Sequence, residues 1–297
     1  MNQIKIHKWS DYKVPEPVLP FVTVTHEQKV MFIEEDLTKL INENPFTFRG
    51  DFTLKIVDRD DIFCVNIKNL PYLPDRIDMF SDGTVLLVSG RAWKTEDDVQ
   101  QNARRYNMDG ECLDEFALGD DIVRLSIDDE DTIWVGYSTE GVYGDVGRER
   151  AIAAPGLVAF SKQGEVKWEG WAYDIHAVLA MNVYHAGRAC VHYSLMSWLV
   201  QLDHFDEVMK SEVEERAWIS QFMMLDGETM LACAPRTELY LLRSDRGVLT
   251  KKEELTLKAD GSACHGQIVM RGNTIFVFNE DGIYQREITL EILNADN

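Results

Sequence analysis

Asp75, Asp121 and Asp174 each precede a short apolar run, and Ile219 and His265 take the corresponding places further along, at steps of 46, 53, 45 and 46 residues. Side chains that return at such a period occupy one structural position in successive copies of a unit. Three carboxylates and an imidazole gathered in one place would repel one another, raise some carboxyl pKa values or recruit a cation. A hard divalent ion such as calcium suits oxygen donors. A metal set of Asp75, Asp121, Asp174 and His265 is therefore the first expectation. The structural alternative is an aspartate that only accepts hydrogen bonds from a turn of the neighbouring unit, a role that the Gly119 and Asp120 pair fits.

A second group is basic against an acidic chain of net charge −21. Arg91 and Lys94 stand in one long connection, Arg148 and Arg150 in another, and Arg104 and Arg105 where a strand begins. A guanidinium beside a cavity can hold a carboxylate or phosphate through two parallel hydrogen bonds. Tyr143 is expected to be exposed, and His176 follows Asp174 by two residues, which puts both on the same side of an extended chain. The candidate ligand site is thus Arg91, Lys94, Tyr143, Arg148 and His176, suited to a sugar or an anionic metabolite, with counter-charge for Glu96, Asp97 and Asp98 as the plainer use of the first two cations. Gly141, Gly144 and Gly147 have GxxGxxG spacing, but no helix signal follows a strand there, which argues for a sharply turned loop rather than a dinucleotide site. Trp134, inside IWVGY, reads as core. Cys190, Cys233 and Cys264 lie in or beside apolar strands and read as small buried hydrophobes. No GxSxG, HExxH or P-loop occurs.

The elements that must position these groups repeat about every 45 to 50 residues. PDRIDMFSDGTVLLVSG, GDDIVRLSIDDEDTIWVGYS, RAWISQFMMLDGETMLACA and ACHGQIVMRGNTIFVFNE each give a polar opening, an apolar strand, a tight turn and a second apolar strand. Four short strands per unit are the mark of a propeller blade. The rhythm predicts an all-β, six-bladed β-propeller over residues 1–297, with seven blades as the alternative and no linker to divide the chain. The last blade has three strands, and IKIHKW at residues 4–9 is expected to complete it, since an open edge invites association. Long connections near 36–51, 91–101 and 138–156, the first with room for a short helix, would share the face on which the first strands begin.

The stretch NARRYNMDGECLDEFALGDDIVRLSIDDEDTIWVGYSTEGVYG with GLVAFSKQGEVKWEG resembles the repeat of bacterial propellers of the NHL and quinoprotein type, including groups without assigned activity. The resemblance implies a propeller and carries over no catalytic residue. Charge of −21 disfavours nucleic acid and anionic membranes as partners. No signal peptide, membrane span or CxxC spacing occurs, and the five cysteines are an odd number, so a cytoplasmic location is the default. The expected function is a noncatalytic scaffold binding a protein or small molecule, and the alternative is a calcium-type metal-dependent hydrolase or lactonase using the aspartate set to polarise a carbonyl or activate water.

Overall fold

The computed structural model describes residues 2–40, 43, 48–92, 100–144, 151–185, 187–194, 197–214, 218–235 and 237–295. Their contacts group into two compact units, Pro15–Val178 and a second made of Met1–Val14 with Leu179–Asn297. Both are built mainly from antiparallel strands, and the chain is all-β and propeller-type.

Pro15–Val178 contains three four-stranded meanders. The first runs Thr23–Val24, Val30–Ile33, Gly50–Asp58 and Asp61–Leu70, with a 3-10 turn at Leu37–Lys39 in the connection that had room for a helix. The second runs Arg76–Met79, Val85–Val88, Ala103–Tyr106 and Cys112–Phe116. The third runs Ile122–Ile127, Ile133–Tyr137, Leu157–Phe160 and Val166–Glu169. Each second strand is buried along its whole length because both faces of its sheet are covered. Successive side chains of a strand point to opposite faces. Val85 and Leu87 accordingly join the core with Met31, Leu54 and Val65 of the first sheet, while Leu86 and Val88 pack with Ile127, Ile133 and Val135 of the third.

Polar groups then fix how neighbouring sheets meet. The fully buried Asp78 carboxylate accepts the Met79 amide at 2.9 Å and, from the next sheet, the Ile127 amide at 2.7 Å. At the turns, Asp131 accepts the Ser81 amide at 2.7 Å, and the Lys162 ammonium bridges Asp82 at 2.8 Å and Asp131 at 3.0 Å.

The second unit departs from the expected plan. Val178–Val183, Arg188–Tyr193, Trp198–Asp203 and Asp206–Val213 should form one blade, and Gln221–Met224, Thr229–Cys233, Leu239–Asp245 and Val248–Ala259 another. Instead they are one ten-stranded sheet. The cause is the twelve-residue strand Val248–Ala259, whose start pairs in parallel with the end of Asp206–Val213 through Glu212↔Val248 and Val213↔Leu249. The same long strand also takes Asn2–Lys5 in parallel and Ser262–Ala263 in a short return. Neither six nor seven separate blades is correct: the described residues form four small four-stranded blades and this large sheet. In the fourth small blade, His7–Ser10 pairs antiparallel with Gly282–Glu287, beside Thr274–Asn279 and Gln267–Arg271, so the N-terminal segment does supply the strand missing from the C-terminal sheet. Among the described residues no helix is long and apolar enough to cross a membrane.

Candidate functional site

The Pro15–Val178 unit carries a pocket of about 480 Å³ whose described lining includes Phe48, Tyr72, Leu73, Asp75, Arg91 and Gln100. Tyr72 is fixed first. Its side chain is buried and its hydroxyl donates to the Leu87 carbonyl at 2.9 Å, which holds it in the pocket wall. Three residues later the chain turns into the strand Arg76–Met79, and Asp75 closes the opening of its own hairpin by accepting the Gly90 amide at 2.6 Å. Burial lifts the Asp75 carboxyl above the usual carboxylate range, opposed by the Arg76 guanidinium at 3.3 Å and the Gly90 amide.

At Gly90 the second and third sheets approach closely. A Cβ there would sit 2.9 Å from the Ile122 carbonyl oxygen and 3.1 Å from an Asp75 oxygen, so any side chain would force the two sheets apart. The Gly90 carbonyl accepts the Ile122 amide at 2.8 Å, and Asp120 accepts the Ala92 amide at 2.8 Å. Asp120 thus serves the neighbouring turn, the structural role read for it in the sequence.

Arg91 leans across this junction onto three carboxylates: Asp121 at 3.0 Å, Glu140 at 2.8 Å and, more distantly, Asp120 at 3.8 Å. Asp121 also receives a hydrogen bond from the Ser138 hydroxyl. Ser138 caps a short helix, Thr139–Tyr143, by accepting the Glu140 amide at 3.1 Å. This helix falls where a loop with no helix signal was expected; a serine cap with an acidic residue in the first turn is the signal that was there to be read. Gly141 lies on the buried side of that helix, where a Cβ would meet the Asp120 carbonyl oxygen at 2.6 Å, so its glycine serves close packing. At the far end the exposed Tyr143 ring meets the His176 ring edge-on at 5.1 Å, and His176 Nε2 lies 3.5 Å from Asp174. Partial desolvation and then the Asp174 charge push the Tyr143 hydroxyl pKa upward.

The helix therefore links Arg91 and Asp121 to Tyr143, His176 and Asp174, five of the residues singled out in the sequence. Among the described residues no three His, Cys, Asp or Glu side chains converge so as to hold a metal ion. Asp75 and Asp121 each brace their own hairpin, at Gly90 and Ser138, and Asp174 is exposed in a left-handed turn at φ 51°. His265 belongs to the other unit, where its backbone carbonyl accepts from Asn279 at 3.2 Å. Lys94, Arg148 and Arg150, with Glu96, Asp97 and Asp98, lie outside the described residues. Trp134 is core, with its indole nitrogen donating to the buried Asp128 at 2.9 Å, and Cys190, Cys233 and Cys264 are buried.

Sequence reading missed the pocket itself, because Phe48, Tyr72 and Leu73 look like ordinary core positions. A smaller pocket of about 330 Å³ lies in the other unit, lined by Tyr184, Arg188, Gln201, Met209 and Asp226 among others.

Exposed ion pairs of the Arg91 kind gain little from Coulomb attraction in water. Arg91→Ala is expected to cost about 0.5 kcal/mol, within the usual range for such pairs, read as a small drop in the urea midpoint. A loss several times larger would make the arginine a brace between the sheets.

No family model matches the chain, and no curated protein matches it. Among solved structures it is similar to the WD40 beta propeller domain of Doa1, at 11% identity and a TM-score of 0.47, over 96% of this chain and 91% of that one. The propeller-type architecture stands on the strand pairing described above, and the narrower NHL or quinoprotein-type likeness finds no matching family model.

Proposed function

We propose that this chain is a noncatalytic binding protein and that the pocket beside Tyr72, Asp75 and Arg91 is its binding site. The observation that carries the reading is the pocket: about 480 Å³, with the apolar Phe48, Tyr72 and Leu73 beside the polar Asp75, Arg91 and Gln100. Volumes of roughly 300–1,000 Å³ with apolar walls and a few convergent polar groups are typical of small-molecule sites. The groups nearest to it are engaged in structure. Asp75 holds Gly90, Asp121 holds Ser138, and Arg91 is shared among acids, which supports binding over bond-breaking chemistry.

The test is a thermal-shift panel of small organic molecules in cationic, neutral and anionic classes, run on the wild type and on Leu73→Trp, which fills the pocket from a partly buried wall. A ligand that binds only the folded state stabilises it by about 2.7 kcal/mol at a hundred times its Kd. Hits should raise the melting temperature of the wild type and lose that effect in the variant, whose own unliganded melting temperature stays close to the wild type's. Hits that survive in Leu73→Trp, or a panel without hits, would contradict the reading.

A further inference from the structure

We propose that the ligand of this pocket is an organic ammonium ion: an apolar, ring-sized body on the Phe48, Tyr72 and Leu73 walls, with its cationic nitrogen on the Asp75 carboxylate. This rests on the binding-site reading above and goes further by fixing the ligand's charge.

The argument is the balance of charge around the cavity. Two carboxylates, Glu43 and Asp75, are among its lining residues, and Arg91 is the one cation among the described residues that line it. Arg91 gives an incoming anion little, because Asp121 at 3.0 Å, Glu140 at 2.8 Å and Asp120 at 3.8 Å already surround it. Arg76, 3.3 Å from Asp75, offsets one of the two lining carboxylates. Counting these two arginines, and Arg124 whose charge acts on Arg76, against the five acids leaves an excess of negative charge among the described residues around the pocket. A low-dielectric wall strengthens that field, and a whole chain of net charge −21 adds to it.

The chemistry of the walls agrees with the charge. Asp75 accepts the Gly90 amide and its own amide and faces the Arg76 guanidinium at 3.3 Å, and of the roughly four lone-pair sites of a carboxylate this leaves room for one further donor. An ammonium brings up to three donors and no acceptor, so it meets a carboxylate without leaving a lone pair opposed. Tyr72, whose hydroxyl is committed to Leu87, and Phe48 both line the cavity, and aromatic rings attract organic cations. An anionic metabolite on Arg91 is the reading this displaces, since the acids around that guanidinium would repel a carboxylate or phosphate.

The experiment is calorimetric titration with three probes of nearly one shape: 2-phenylethylamine, 2-phenylethanol and 3-phenylpropionate, which are cationic, neutral and anionic near pH 7. The amine is expected to bind at least about tenfold more tightly than the alcohol, with the carboxylate weakest, the scale of a desolvated charge-assisted hydrogen bond. Asp75→Asn, which keeps an oxygen for the Gly90 amide, should reduce amine binding to the level of the alcohol and leave the alcohol unchanged. Should Asp75→Asn fail to fold, Glu43→Gln in the same titrations must lower amine affinity selectively. Equal affinity for amine and alcohol, or tightest binding of the carboxylate, overturns the proposal; if Leu73→Trp then abolishes that binding, the pocket stands as the site and only the ligand class falls. No binding of any probe, or binding that Leu73→Trp leaves intact, overturns both.

Discussion

Asp78→Ala is expected to destabilise the Pro15–Val178 unit by about 3 kcal/mol, the cost of stranding two buried amide donors at about 1–3 kcal/mol each. Asp78 has no exposed surface, and its two oxygens divide between Met79 in its own sheet and Ile127 in the next. The alanine side chain accepts nothing, and the position has no exposed surface from which solvent could replace the lost oxygens. The other unit holds a counterpart. Asn182 stands two residues before the turn residue Tyr184, as Asp78 stands two before Phe80, and both turns close with the same amide-to-carbonyl bond four residues on. Asn182 donates to the Phe222 and Gly272 carbonyls at 2.9 and 2.8 Å and accepts the Gly272 amide at 2.8 Å. Asn182→Leu should therefore cost about as much, with one donor and two acceptors left facing hydrocarbon. Urea denaturation followed by tryptophan fluorescence checks both variants. Losses below about 0.5 kcal/mol, the level of an ordinary surface change, would mean that these clamps are replaceable by packing alone.

The second large effect is one of pH. His192 is 2% exposed, its Nε2 lies 3.0 Å from the Ser197 hydroxyl, and among the described residues its Nδ1 meets no hydrogen-bond partner. Burial pushes its pKa down from 6.5 to about 4. The unfolded chain therefore binds a proton near pH 6.5 that the folded chain refuses until about pH 4. The neutral imidazole contributes its full share to stability above pH 6.5, and that share is lost as pH falls through this window. At about 1.4 kcal/mol per pKa unit, the loss reaches about 3 kcal/mol at the acid end. His192→Gln removes the titration while keeping a side-chain amide near Ser197. The stability of the wild type should fall between pH 7 and pH 4 by about 3 kcal/mol more than that of the variant. Parallel pH profiles for the two proteins would show that the imidazole is protonated or solvated in the fold.

Strands and hairpins were legible in the sequence because their causes are local. The Asp82–Gly83 turn, the apolar run Val85–Val88 and the alternation in Phe52–Ile56 state their own conformation, since a strand's side chains alternate and glycine accepts a left-handed turn at φ 80°. The merging of two expected blades was not legible, because it depends on where Val248 meets Glu212, residues distant in sequence whose pairing leaves no periodic trace. The site divides the same way. The blade period brought Asp75 and Asp121 to comparable hairpin-closing roles, while Asp174 fell in an exposed turn and His265 in another unit. Asp78 and Asn182 were passed over as single polar residues inside apolar strands. Their signal was a shared place two residues before a hairpin turn. The pocket was hidden for a different reason: its apolar walls look like core until the sheets are assembled.

The account turns on where a small cation binds, and amide chemical-shift mapping with 2-phenylethylamine answers that most directly. Perturbations should gather at Tyr72, Leu73, Asp75, Ser89 and Ala92, around the cavity of about 480 Å³. Perturbations gathered instead at Tyr184, Arg188 and Asp226, around the smaller pocket of the other unit, or spread without a focus, would contradict it.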